Sequence, residues 1–328
     1  MIKLFKRRNT KKPAIIDTAP IVNEEHKELT FEDKVVYIPK KRIESFPVMY
    51  ESPEGKITYF CKDKYISEAR KVYDIIDIDK YIHRVEIVGE LPDAGQCEYE
   101  IIDGNLRITI RVAAHKLGII CHTGYIWDYK DEQCKIFTDI LAHELFHAED
   151  IVRICEEHGI DEVSKIKKSE NLMVKLAFNT FSEYKACRGT ADNFNSFDTA
   201  ESLDRCLNIS NLTLKEGIKN YKKESPMLDQ LKRTIFYVNY VIATFCAFAD
   251  VSADKEKDLV LSDYVSGHSI FTYYINKLRK MLNEYYSFST SLTEEMYQSL
   301  GKQMMYDLVS VYGVVDEKKN DVIMGILK

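Results

Sequence analysis

The spacing of apolar residues changes partway along the chain. Residues 1–30 show no period and are polar and charged. Residues 31–130 hold most of the short alternating runs. The clearest is Cys97 to Val112, where Glu98-Tyr-Glu-Ile-Ile leads into Asp103-Gly104 and Leu106-Arg-Ile-Thr-Ile-Arg-Val returns with period two. Asp-Gly between two β-prone runs predicts a hairpin. Tyr81 to Val88 and Gly118 to Trp127 read as further strands, and Ile66 to Ile78 as a helix.

From Asp131 onward the pattern turns helical. Phe137, Leu141, Leu145, Ala148, Val152 and Cys155 recur every three or four positions, which draws one apolar stripe along a helix. Asp131 is placed to cap its start and Gly159 its end. A second helix fits residues 170–188, and residues 228–249 and 264–286 read as two more. Ser291-Leu-Thr-Glu294 matches a capping box ahead of a helix of about twenty residues that stops near Gly313. The expected fold class is α+β. A small mixed sheet packs on the helix through residue 143, and a mainly helical C-terminal half follows. The expected division is a basic mobile tail over 1–30, a first domain over 31–195 and a helical region over 196–328.

Within the striped helix lies His143-Glu144-Leu145-Phe146-His147. Residues four apart stand one turn above each other on one helix face. Two imidazoles there can give two nitrogen ligands to one tetrahedral Zn²⁺. Glu144 lies about a hundred degrees round the helix, where it borders the ion without binding it and can take a proton from a water the ion polarises. A catalytic zinc site needs a third protein ligand. Arg153 and Asp150 stand where a third histidine and a glycine would mark a metzincin, so that branch is excluded. His158 is about three turns from His147, too far to converge. Glu183, in the next helix, is the best third ligand, with Glu170 in reserve and Glu201 more distant. Ala186, one turn after Glu183, allows the two helices a close approach. Asp150 suits the outer shell, accepting the second ring N–H of a ligand histidine.

His143-Glu144-x-x-His147 followed by a helix with Glu183-x-x-Ala186-x-Arg188 resembles the gluzincins, zinc peptidases with a glutamate as third ligand. It is similar to the HtpX-like peptidases and to the ImmA/IrrE-like peptidases of bacteria and mobile elements. The likeness covers residues 130–190. It implies a zincin-like fold, Zn²⁺ held by His143, His147 and Glu183, Glu144 as general base, and a peptide or protein substrate. Cys187 stands where these families carry Asp or Asn; Asp150 or Asp192 is then the expected outer support. The resemblance also implies a sheet edge that binds extended peptide, for which Leu106 to Val112 is a candidate unless that strand is interior. Tyr184, His122 and His268 are candidates for stabilising the oxyanion. His115 and His122 otherwise read as structural or surface residues.

Composition narrows this picture. Among 328 residues, 45% are hydrophobic and 30% charged, an ordinary globular mixture. A net charge of −6 gives no general case for nucleic-acid binding. Lys3, Lys6, Arg7, Arg8, Lys11 and Lys12 lack the apolar run that would make the N-terminus a secretory signal. The longest apolar stretch, Ile235 to Ala249, is shorter than the ~20 residues of a spanning helix, so it reads as core and no transmembrane segment is expected. Eight cysteines without a CxxC pair fit a reducing, cytoplasmic setting without structural disulfides. The expected activity is a soluble zinc endopeptidase. The alternative is a non-catalytic or regulatory zinc-binding module whose helical half docks a partner. A deformylase-type amide hydrolase is disfavoured, because no Gly-Cys-Leu string lies upstream.

Overall fold

The computed structural model describes residues 35–38, 62–88, 91–113, 116, 131–194, 200–219, 228–251, 269–287, 290–314 and 316–326. The fold is mixed α and β, as expected. Four strands, β1 (Val35–Ile38), β2 (Ile82–Val88), β3 (Gly95–Ile102) and β4 (Asn105–Ala113), form one sheet in the order β1-β2-β4-β3. Helix α1 (Lys62–Tyr73) joins the parallel pair β1 and β2, and β2 is parallel to β4. The expected hairpin is β3 and β4, antiparallel with Ile102 opposite Asn105. Asp103 (φ 51) and Gly104 (φ 77) both occupy the left-handed region that the tight turn requires. The proposed strand Gly118 to Trp127 lies outside the described residues. Along β4, Leu106, Ile108, Ile110 and Val112 are buried while the residues between them are partly exposed, so one face of the pleat meets the core.

Helix α2 (Asp131–His158) covers that face, packing on β3, β4 and α1. Its predicted stripe is buried from Phe137 to Val152. Gly159 (φ 86) ends it, but the segment expected to be a plain connection contains a further helix, α3 (Ile160–Lys168). Helix α4 (Leu172–Phe194) is the hub: it packs against α2, α6 (Leu228–Val251) and α8 (Glu294–Val311). It is buried nearly all round, which is the signature of a helix enclosed by protein. Helices α5 (Ala200–Lys219), α7 (Ser269–Tyr286) and α9 (Asp316–Ile326) complete the outer layer. The buried side chains form one cluster from Ala69 to Ile326.

Helix α6 runs 24 residues over the segment expected to be helical at 228–249, and by length and composition alone it could cross a bilayer. Its apolarity has a packing explanation, since 56% of its most apolar window is buried against the neighbouring helices. Asn239 is fully buried in it and is bonded to the Ile235 carbonyl (2.8 Å) and the Tyr274 hydroxyl. The capping box does not form. Thr293, not Ser291, caps α8, accepting from the Met296 N–H at 3.4 Å. Carboxylates from elsewhere hold the residues of the expected box: Glu157 accepts the Ser291 N–H, and Glu162 accepts the Glu294 N–H at 2.6 Å.

Gly301 brings α8 against the start of α4. A Cβ there would lie 2.2 Å from the Met173 carbonyl oxygen, and a backbone atom cannot swing away. Gly301→Ala gains about 1 kcal/mol of helix propensity. It incurs an overpacking cost at the upper end of about 1–3 kcal/mol. The variant is therefore expected to be less stable than wild type, read as a fall in Tm on thermal unfolding.

Candidate metal centre

The α2–α4 contact brings the predicted ligands together. The two helices are antiparallel: His143 faces Cys187, while His147, one turn later, faces Ser182, earlier in α4. Nε2 of His143 and Nε2 of His147 are 3.1 Å apart. Oε2 of Glu183 is 3.6 Å from the first and 3.5 Å from the second. Metal–ligand bonds near 2.0–2.1 Å at tetrahedral angles put ligand atoms about 3.3 Å apart. The three separations are thus close to the edge lengths of a tetrahedral coordination shell.

The outer contacts fix which atoms converge. Ser182 Oγ lies 2.8 Å from His147 Nδ1, and Cys187 Sγ lies 3.9 Å from His143 Nδ1. With the ring protons directed to Ser182 and Cys187, both Nε2 lone pairs point at Glu183. Glu183 is oriented in the same way. Its Oε1 accepts from Cys187 Sγ (3.2 Å) and Thr244 Oγ1 (3.3 Å), which leaves Oε2 for the centre. Three lone-pair-bearing atoms facing one another repel unless a proton or a metal cation lies among them. The donor set of two imidazoles and one carboxylate suits Zn²⁺.

Electrostatics reinforce this polarity. Burial works against a charge on Glu183, yet the His143 and His147 imidazoles hold its carboxyl well below the usual range. Burial likewise opposes the charge on His143, but the Glu183 carboxylate beside it raises its pKa overall. Glu144 goes the other way: burial pushes its carboxyl up despite the two imidazoles nearby. It is 8% exposed and borders the centre without joining it. A Cβ on Gly95, at the start of β3, would fall 2.5 Å from Glu144 Oε1, so only glycine lets the strand lie this close to the carboxylate.

Among the described residues, that strand is one edge of the sheet. Leu106 to Val112, the candidate from the sequence, is interior, between β2 and β3. The Ala113 N–H donates to the Ala94 carbonyl (2.9 Å), so antiparallel alternation turns the N–H and C=O groups of Gly95 and Cys97 away from β4. Farther along, the Lys167 ammonium takes the outward Tyr99 carbonyl.

Other expected residues lie elsewhere. Asp150 is buried and pairs with Lys185, so it supports the α2–α4 contact instead of a ligand imidazole. Asp192 is exposed. Glu170 is exposed ahead of α4, and the side chain of Glu201 lies outside the described residues. His158 contacts the Ser291 carbonyl (2.9 Å). Tyr184 turns away from the centre: its hydroxyl donates to Asp250 Oδ2 (2.6 Å) and accepts from Arg188 (2.6 Å). His115, His122 and His268 lie outside the described residues. Ser182, Thr244, Gly95 and Tyr240 are the contributors that sequence reasoning missed. Tyr240 is 46% exposed on α6, one turn before Thr244, and its hydroxyl meets the Glu183 carboxylate. Gly95 alone carried a readable signal, a glycine opening a strand. Gly189 was missed as well; together with the expected Ala186 it lets α4 approach Phe146 of α2.

Comparison with protein-family models, with curated proteins and with solved structures finds no match for this chain.

Removing the outer partner of a ligand imidazole typically lowers metal affinity by about 10–100-fold. Ser182→Ala is expected to weaken zinc binding by about that factor in competition with a chromophoric chelator. An unchanged affinity would remove Ser182 from the site.

Proposed function

We propose that this protein is a soluble zinc-dependent endopeptidase of the gluzincin kind, with a zincin-like core formed by the sheet, α2 and α4. The observation that carries the reading is the convergence of His143 Nε2, His147 Nε2 and Glu183 Oε2 at tetrahedral spacing beside Glu144. A bound zinc ion would supply Lewis acidity toward a carbonyl and lower the pKa of a water toward about 7. Glu144 would accept the proton of the attacking water and pass it to the leaving amine. A carboxyl raised by burial is better matched to that two-way transfer than an ordinary one. The edge of β3 at Gly95 and Cys97, which no described strand pairs, would bind extended substrate by strand addition, next to Glu144. Tyr240 would serve as donor to the oxyanion in place of Tyr184, which turns away, because it is half exposed and its hydroxyl reaches the Glu183 carboxylate.

Glu144 is nearly sealed beneath β3, which favours a second reading: a regulatory zinc module whose metal is structural. One variant separates the two. Glu144→Gln is expected to retain near-stoichiometric zinc while cleavage of a fluorescently quenched, unfolded protein falls by about 10²–10⁴-fold. Full turnover in that variant, or purified protein that binds no zinc, would end the peptidase reading. Tyr240→Phe is expected to lower kcat by about 10²–10³-fold with KM little changed. A change confined to KM would make Tyr240 a binding residue.

A further inference from the structure

Cys187 is one turn after Glu183 in α4, and it touches both Glu183 and His143 on the sides facing away from the convergence point. Its sulfur is 3.2 Å from Glu183 Oε1 and 3.9 Å from His143 Nδ1. Ligand atoms of these three residues all lie within 4.8 Å of one another. A metal with one sulfur bond near 2.3 Å and nitrogen or oxygen bonds near 2.0–2.2 Å separates sulfur from those atoms by about 3.5 Å. The observed distances bracket that value. Small side-chain rotations would complete a second set of donors, on the opposite face of the same two ligands.

We propose that the centre has a second cation position, formed by Cys187 Sγ, Glu183 Oε1 and His143 Nδ1, which takes a thiophilic d¹⁰ ion such as Cd²⁺. Thiolate is a soft ligand and selects soft ions, whereas the first position offers only nitrogen and oxygen. On binding, the sulfur–hydrogen bond breaks, a sulfur–metal bond forms and the proton passes to buffer, with no change of oxidation state. The ion takes the place of the thiol proton that now points to Glu183.

The two positions exclude each other. A neutral imidazole carries one N–H and one lone pair, so it can ligate through one nitrogen at a time. An ion that takes His143 through Nδ1 moves the ring proton to Nε2, and His143 is lost to the first position. The same ion draws Glu183 through Oε1. A soft ion would therefore expel zinc from the His143, His147 and Glu183 set without occupying it. This goes beyond the proposed peptidase activity and is read without any substrate.

Zinc-loaded full-length protein is titrated with cadmium chloride, following the thiolate-to-cadmium absorption in the ultraviolet and zinc release with a chromophoric indicator. Wild type is expected to gain the absorption and to release one zinc for each cadmium bound. Cys187→Ser is expected to lose that increment of absorption. Cys187→Ala, which removes the sulfur and the contacts it makes, is expected to do the same while still taking up zinc on titration, with the affinity lowered by about 10–100-fold. Absorption of equal size in wild type and both variants would place the ion on another cysteine and overturn the proposal. No absorption in wild type, or absorption without zinc release, would also overturn it. If the protein carries no zinc as purified, the peptidase reading fails separately, and the Cys187-dependent absorption on apo-protein still decides this proposal.

Discussion

Three electron-pair donors face one another across the α2–α4 interface, and the surrounding structure has to hold them there. Left to themselves, His143, His147 and Glu183 would turn their lone pairs toward water. The fold blocks that escape by giving each a partner on its far side: Ser182 for His147, Cys187 for His143, and Thr244 with Cys187 for Glu183. The partners come from α4 itself and from α6, so the centre depends on the packing of three helices. The buried Asp150–Lys185 pair adds a tie between α2 and α4. Such a pair contributes little as net stability, but removing one partner would strand a charge at a cost of about 3–5 kcal/mol. Its effect is to disfavour alternative registers of the two helices.

What could be read from the sequence is what depends on nearby residues. His143 and His147 are one turn apart on one helix, so their common direction follows from spacing alone. Glu183 was placed because the next helix carried a recognisable string, and the Asp103-Gly104 hairpin because its turn demands two residues tolerant of positive φ. The failures share the opposite property. Asp150 sits one turn beyond His147 on the expected face, but Lys185 claims it from another helix. The pattern at Ser291 was right for a cap, but Glu157 and Glu162 take the N–H groups of Ser291 and Glu294, and Thr293 caps α8 instead. Thr244 and Tyr240 were invisible because α6 has an apolar pattern set by the core, and its approach to Glu183 is a tertiary event.

Tyr184 shows how one helix serves the centre and the fold at adjacent positions. Glu183 points to the convergence point, while Tyr184, the next residue, points into a polar network between α4, α6 and α7. There Asp250 accepts from Tyr184 (2.6 Å), Asn283 (2.8 Å) and Arg279 (2.7 Å). Arg188 donates to Tyr184 (2.6 Å) and Asn283 (2.8 Å) and lies 4.1 Å from the Tyr286 ring centroid. Burial and the Asp250 carboxylate push the Tyr184 hydroxyl far above its ordinary pKa, so it stays a neutral donor. Buried networks of this kind favour pairing, because each unpaired member carries its full desolvation cost; Arg188 Nε is the member left without a hydrogen bond among the described residues.

That network links the helical half to the chemistry. Asp250 lies near the end of α6, and Thr244 and Tyr240 lie nearly two and nearly three turns back along the same helix. Fixing Asp250 against Tyr184 and Arg279 therefore fixes the rotation of α6 about its axis, and with it the direction of Thr244 toward Glu183 Oε1. A helix held by apolar contacts alone can rotate or slide at modest cost, since hydrophobic burial is non-directional. A carboxylate held through both oxygens cannot. The helices after residue 196 thus have a physical role at the centre whatever they bind: they help set the orientation of Glu183 and present Tyr240 beside it.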